Sequence, residues 1–376
     1  MRILKLSPVF GNNIGDLAIS DVFEDLIESL GHEVISKDWR GRPRDGFQNR
    51  ELPRGRNFAG KLLYRVPEVG LGLSRLLRLN PYSFGKLVES FGYEPDAVIL
   101  GGGNLLMDTF GTDYLHRVLC YAEYFRNKRI PVYILGVGAG GISGRRSEQV
   151  GRVVELAKAV VVRDVYSLGL LKSFLSADLD RKVELVPDVV LSHRVRLPES
   201  DHKFVGLNVA GTLTDLQITG VKRCIDFILE YFQLPLKIII TAYPLDREVG
   251  LSVLDYCRGQ GAVGAQSEIV FMSSAWRDEL APAFLGIKFF LGSRMHSLIF
   301  SMITGTPCMG ITWHPKVDSL FEMVGLGNLG RSSSSPEELI GALAQLDWEA
   351  ERTRLATGVA VARVRIQDHY RGALQF

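Results

Sequence analysis

Cysteine is scarce and scattered. The chain of 376 residues has four, Cys120, Cys224, Cys257 and Cys308, with no C-x-x-C pair and no zinc-ligand spacing. That excludes a disulfide framework or a zinc ribbon and fits free thiols in a reducing compartment. Neither charge sign dominates: 44 Lys and Arg against 42 Asp and Glu leave a net charge of +2, so nucleic acid is not an expected partner. No apolar run approaches the ~18 residues of a membrane span. The opening stretch MRILKLSPVFGNNIGD has too short an apolar core for a signal peptide before Pro8 and the Gly/Asn cluster break it. The expectation is a cytoplasmic protein, at most one that touches a membrane from the cytoplasmic side. G-x-x-x-x-G-K-[ST], H-E-x-x-H and G-x-S-x-G are all missing, so P-loop, zinc-protease and α/β-hydrolase chemistry lack support.

What is present is an ordinary globular composition, 46% hydrophobic and 23% charged with 39 Gly and 15 Pro. The length suits about two domains at roughly 100–200 residues each. Short apolar runs at 3–6, 33–36, 97–100, 132–135 and 159–162 alternate with helical stretches, the pattern of a parallel α/β sheet. The first helix, 16–30, carries an apolar stripe and is stopped by Gly31. A polar segment, LPESDHK at 197–203, reads as a linker. The alternation then resumes with strands expected at 204–208, 236–241, 268–272, 289–292 and 307–311. A Ser run precedes Pro336 and another helix, and 348–370 reads as one or two helices. The predicted fold class is α/β: two Rossmann-like domains facing a cleft, with a C-terminal helix closing the molecule. The predicted boundaries are 1–197, 203–347 and 348–376. Ligands in such folds sit beyond the carboxyl ends of the strands.

One segment departs from this evenness. Between Asp38 and Asn80 there are ten Arg or Lys against four Asp or Glu. It reads either as a solvated surface insertion or as a contact for a phosphorylated acceptor or anionic lipid, where each basic residue is worth about 1 kcal/mol.

Chemistry concentrates at strand ends. In 291–326 a strand stops at Gly292 and a helix starts near Met295, so Arg294 and His296 sit where free N–H groups and the helix dipole attract anions. A cation there is disfavoured unless an anion accompanies it. The two side chains read either as a local cap and ion pair or as a phosphate or carboxylate site. The same tension recurs at Lys316, after Pro315 at the start of a helix over 316–324, with His314 either beside that site or a satisfied loop residue. In the first half, 7–16 (SPVFGNNIGD) joins strand to helix. Gly11 and Gly15 allow close backbone approach, and Asn12 lies in the same loop. Asp16 is either the helix N-cap or a carboxylate base. Gly102, Gly103 and Asn104 follow a strand and form either a ligand-lining loop or a turn. GVGAGG at 136–141, with Gly138 at its centre, is a weak match to a dinucleotide fingerprint: the next helix starts late and the acidic partner is missing. Arg163 precedes the expected N-cap Asp164 and reads as an ion pair or as a cation aimed at the ligand.

Taken in order, GNNIGDLAI, GGGNLL, GVGAGG, VVRDVYS, PDVVL, SRMHSLIFSMITGTP and PKVDSLFEMVGL resemble the polysaccharide pyruvyl transferase family and cover most of the chain. The R-x-H-S-L-I-F and P-K-V pieces are the specific ones. The resemblance implies a GT-B-like fold and transfer of pyruvate from phosphoenolpyruvate onto two hydroxyls of one sugar, giving a cyclic ketal and phosphate. The acceptor is a glycan or its lipid-linked precursor, which would allow peripheral contact with the inner membrane face. The family's Arg-x-His motif falls on Arg294 and His296, its glycine–aspartate loop on Asp16 and its arginine–aspartate pair on Arg163.

Those roles suit the residue types. A densely anionic donor needs fixed cations, for which Arg294, Lys316, Arg163 and His314 are candidates. A His⁺ can protonate the donor's methylene carbon, the role expected of His296, while Asp16 takes a hydroxyl proton. No cofactor is required and no metal-ligand cluster is evident. The competing readings are a GT-B glycosyltransferase using a nucleotide sugar, with Glu322 or Asp318 on the ribose, and a non-catalytic component of a glycan assembly complex.

Overall fold

The computed structural model describes residues 1–7, 13–38, 92, 94–107, 114–142, 144–311, 314–330 and 335–374. The basic segment beyond Asp38, with Gly11 and Asn12, lies outside them. The chain divides into two compact units. The first comprises Met1–Phe10, Ile19–Val186 and Arg371–Phe376; the second comprises Gly11–Ala18 and Pro187–Tyr370.

The first unit is built on β1 (Arg2–Leu6), β2 (Glu33–Lys37), β3 (Ala97–Gly101), β4 (Leu106–Met107), β5 (Val132–Val137), β6 (Ala139–Gly140), β7 (Ala159–Val162) and β8 (Val183–Leu185). Its main sheet has the order β2-β1-β3-β5-β7-β8 with every pairing parallel. β4 and β6 form a separate short parallel pair. Strands such as AVILG are buried along their whole length because helices cover both faces, which is why they read as unbroken apolar runs. Helix α1 (Ile14–Ser29) ends as expected: Gly31, at φ +82°, donates to the Glu28 carbonyl. α2 (Tyr114–Asn127) and α3 (Arg145–Leu156) pack against each other. α4 (Val165–Lys172) is capped by Asp164, whose carboxylate accepts from the Ser167 amide at 2.7 Å. β8 was not anticipated: three residues after the charged turn 178–182 carry too short an apolar signal.

The second unit carries β9 (Phe204–Asn208), β10 (Leu236–Ile240), β11 (Glu268–Phe271), β12 (Ile287–Gly292) and β13 (Cys308–Gly310), in the parallel order β11-β10-β9-β12-β13. The crossover helices include α5 (Asp215–Phe227), α6 (Leu245–Arg258), α7 (Trp276–Phe284) and α8 (Met295–Ile303). α9 (Pro315–Met323), α10 (Pro336–Gln345) and α11 (Trp348–Ala373) follow. The Ser-Pro start of α10 is a capping box, Ser335 and Glu338 each accepting from the other's amide. The expected C-terminal helical region is one helix, α11, whose Trp348 stacks on Phe289 of β12 at 4.1 Å. Among the described residues no helix is long and apolar enough to cross a membrane.

Candidate functional site

The carboxyl end of the second sheet gathers the charged candidates. β9 ends at Asn208, fully buried, whose side chain pins three elements at once. Its amide donates to the Ile239 carbonyl at 2.8 Å, and its Oδ1 accepts from the Arg294 backbone N–H at 3.2 Å and the Ser297 hydroxyl at 3.1 Å. Ser293 closes the same turn: its hydroxyl bridges the Asn208 carbonyl and the Ala210 amide. The first turn of α8 is thereby fixed to the ends of β9 and β10.

Arg294 occupies the N-cap position of α8 in an extended conformation and makes no side-chain cap. The anion that its position calls for is supplied by the protein itself. Asp246, in the first turn of α6 and completely buried, receives Arg294 Nε at 2.9 Å on one oxygen and Nη2 at 2.6 Å on the other. The Gly211 amide adds a third hydrogen bond, at 2.8 Å, to Asp246 Oδ1. A buried carboxylate with a forked guanidinium partner and a backbone N–H has its desolvation offset. Nη1 of Arg294 is engaged by no described protein group, and the side chain is 30% exposed.

His296, two residues further on, is buried with its Nε2 3.5 Å from Asp188 Oδ2. Asp188 is itself fixed, its Oδ1 accepting from the Val190 amide at 3.0 Å to cap the short 3-10 turn Val189–Ser192. Against His296 lies Gly15, at the start of α1: a Cβ there would fall 2.2 Å from the ring's Cγ and Nδ1. Only a glycine lets the helix approach this closely. The fully buried Tyr370 of α11 has its phenol pushed well above the ordinary value, first by burial and then by the charge of Asp188.

Asp16 is not the N-cap. The helix starts two residues earlier, at Ile14, because its first N–H is taken by the Thr241 carbonyl at 2.9 Å and Asn13 does the capping. Asn13 Oδ1 accepts from the Gly15 amide, while its Nδ2 donates to Asp16 Oδ2 at 3.2 Å. Asp16 sits in the first turn, half-buried. His314 proves to be the N-cap of α9: its Nδ1 accepts from the Lys316 amide at 3.2 Å, and the Lys316 side chain is buried. Of the two carboxylates considered for a ribose, Glu322 is exposed and Asp318 packs against Gly330.

The other candidates lie in the first unit. Arg163, buried at the end of β7, donates from Nη2 to Asn104 Oδ1 at 3.3 Å. The loop carrying Asn104 turns through Gly102 and Gly103 at φ +79° and +69°. It is held to its neighbour by backbone bonds from Gly102 N to the Leu135 carbonyl and from Gly138 N to the Gly103 carbonyl. The sequence thus drew attention to His296 and Gly15, which meet in the second unit, to Arg294 two residues from His296 in the same unit, and to Arg163 and Asn104, which meet in the first. It missed Asn208, Asp188 and Asp246. Asp188 stood inside the PDVVL segment; Asp246 looks like any acidic residue in a first helical turn and carried no signal. Among the described residues no cluster of three His, Cys, Asp or Glu side chains is arranged to hold a metal ion.

The model of the polysaccharide pyruvyl transferase family matches residues 13–315, a stretch that includes Asp16, Arg163, Asp188, Asp246, Arg294, His296 and His314 and stops just before Lys316. The chain belongs to that family. Its members are transferases of polysaccharide biosynthesis, and the fold is of the GT-B type, as solved structures agree. A UDP-GlcNAc 2-epimerase from Neisseria meningitidis bound to UDP-GlcNAc is 11% identical, with a TM-score of 0.56 over 100% of this chain and 99% of that one. A UDP-GlcNAc 2-epimerase from Methanocaldococcus jannaschii is 12% identical, with a TM-score of 0.52 over 97% of this chain and 99% of that one. A Thermobaculum terrenum O-GlcNAc transferase mutant is 15% identical, with a TM-score of 0.51; the match spans 100% of this chain but 66% of the longer transferase. At such identities these likenesses speak for the fold alone. A search of curated protein sequences returns no significant match.

Proposed function

We propose that this family member moves pyruvate from phosphoenolpyruvate onto two hydroxyls of one sugar in a glycan or its lipid-linked precursor. The observation that carries the reading is the Arg294-x-His296 pair inside the family-matched stretch, with each side chain backed by a buried carboxylate. In this reading His296, its ring oriented by Asp188, delivers a proton to the methylene carbon C3 of the donor. C2 becomes electrophilic and is attacked by a sugar hydroxyl, whose proton passes to Asp16. The C2–O bond to the phosphoryl group then breaks and inorganic phosphate leaves. The second hydroxyl closes on C2 to give the cyclic ketal, its proton returning to His296, while the proton taken up by Asp16 leaves with the phosphate. Arg294 and Lys316, with Arg163 and His314 as further candidates, counter the donor's charge, and electrostatic stabilisation of this kind is usually the largest contribution to catalysis. We place the reaction on the cytoplasmic side, where a lipid-linked acceptor would bring the protein to the membrane face.

The likeness in fold to an O-GlcNAc transferase and to an epimerase bound to UDP-GlcNAc supports a second reading, a nucleotide-sugar transferase. Calorimetric titration separates the two. Phosphoenolpyruvate should bind and uridine diphosphate should not, with binding weakened on the order of 10²-fold, but still measurable, in Arg294→Ala. Binding of uridine diphosphate alone would turn the assignment to a sugar transferase, and silence from both would favour a non-catalytic role in glycan assembly.

A further inference from the structure

We propose that Asp246 is a positioning residue for the donor site: it acts through Arg294, presenting that guanidinium in one fixed orientation to the donor's anionic groups. The inference rests on the proposed function and deepens it. Asp246 is fully buried, comes from a helix far from the Arg-x-His motif in sequence, and holds two of the guanidinium's nitrogens in a fork at 2.9 and 2.6 Å. The other end of Arg294 is fixed as well, its backbone N–H bound by Asn208. Held at both ends, the side chain has few rotamers left to lose when a ligand binds, and Nη1 is the donor that the described protein groups leave unengaged.

The arrangement has an electrostatic cost that makes the idea testable. A buried carboxylate 2.6 Å from the guanidinium cancels much of its long-range field. If charge alone governed donor binding, removing the carboxylate would tighten it. If orientation governs, removing the carboxylate weakens binding even though the site becomes more positive. A merely structural ion pair would alter stability and leave the ligand's response to Arg294 unchanged.

The experiment is a double-mutant cycle on the full chain, read by calorimetric titration with phosphoenolpyruvate. Asp246→Asn is chosen because an amide still accepts from Gly211. It should weaken binding by about 10-fold or more in the wild-type background and have no effect in the Arg294→Ala background; Asp246→Glu should restore part of the loss. Tighter binding by Asp246→Asn, or the same loss in both backgrounds, overturns the proposal. If the unmodified protein binds no phosphoenolpyruvate, the proposed function fails, and the cycle is read with uridine diphosphate instead. A ligand-free measurement tests separately the premise that the guanidinium is held. The nitrogen-15 spectrum of the unmodified protein should contain a slowly exchanging Arg294 Nε–H that Asp246→Glu shifts and Arg294→Lys removes. A rapidly exchanging Nε–H in the unmodified protein would show that the guanidinium is not held.

Discussion

The two parallel sheets end in different materials. At the carboxyl edge of the first sheet the loops are shaped by backbone: Gly102, Gly103, Gly136 and Gly141 all adopt positive φ, and amide-to-carbonyl bonds tie one loop to the next. At the carboxyl edge of the second sheet, side chains do the shaping. Asn208 fastens the helix start, Asp246 fixes Arg294, and Asp188 faces His296. One fold plan, repeated, has been finished once with flexible residues forced into special conformations and once with buried polar pairs. The first device brings backbone close to whatever lies beyond the strands; the second fixes charge and protons. Chemistry that needs an acid and a cation belongs with the second.

Substitutions can break or sharpen this contrast. The largest effect is expected for Arg294→Ala, which leaves the buried Asp246 without its main partner. Unfolding free energy should fall by about 3–5 kcal/mol in chemical denaturation, with transfer reduced on the order of 10² or more. A folded variant of normal stability would mean that the pair contributes little. His296→Ala, which removes the proposed acid, should reduce turnover on the order of 10² or more in a protein that still folds; near-normal turnover would remove His296 from the mechanism. Gly15→Ala forces a methyl against the His296 ring, and should cost about 1–3 kcal/mol together with most donor binding.

On the first sheet the expected effects are smaller and of another kind. Gly102→Ala meets φ +79° and the Ile19 side chain at 3.1 Å, and should lower stability by about 1–2 kcal/mol through backbone strain. An unchanged melting temperature would undo the backbone account of that edge. The mildest test concerns the thiols, all buried. Burial pushes Cys224 up from 9.0 to about 11 and Cys257 up to about 12. A raised folded-state pKa leaves stability intact below pH 9 and erodes it as the pH climbs towards 12, because the unfolded chain ionises first. At pH 8 Ellman's reagent should therefore label none of the four thiols before unfolding and all of them after.

Legibility followed range. Strand runs such as 159–162 and 204–208 coincide with β7 and β9, because a strand buried on both faces must be apolar throughout. The local cap Asp164 was readable, as was the helix start at Pro336 after the Ser run, since such signals act within about three residues. Asp16 misled because Asn13, Asp16 and the neighbouring glycines are all plausible helix starters. What chose among them was the Thr241 carbonyl, more than two hundred residues away. The Arg-x-His motif stood out as an oddity, a cation at the wrong end of a helix, and the oddity was real; its resolution by Asp246 was hidden.

The sequence by itself determined that strands and helices alternate, that the cores are apolar and where some helices begin or end, because propensity, periodicity and capping act over a few residues. It also marked Arg294, His296 and Gly15 as out of the ordinary. Only the tertiary structure decided that Gly15 lies against His296, that Asp188 faces its Nε2 and that Asp246 holds Arg294. Those pairings bring together residues 281, 108 and 48 positions apart. A buried charge needs a partner, but nothing in the local chain says which distant carboxylate the fold will bring to it.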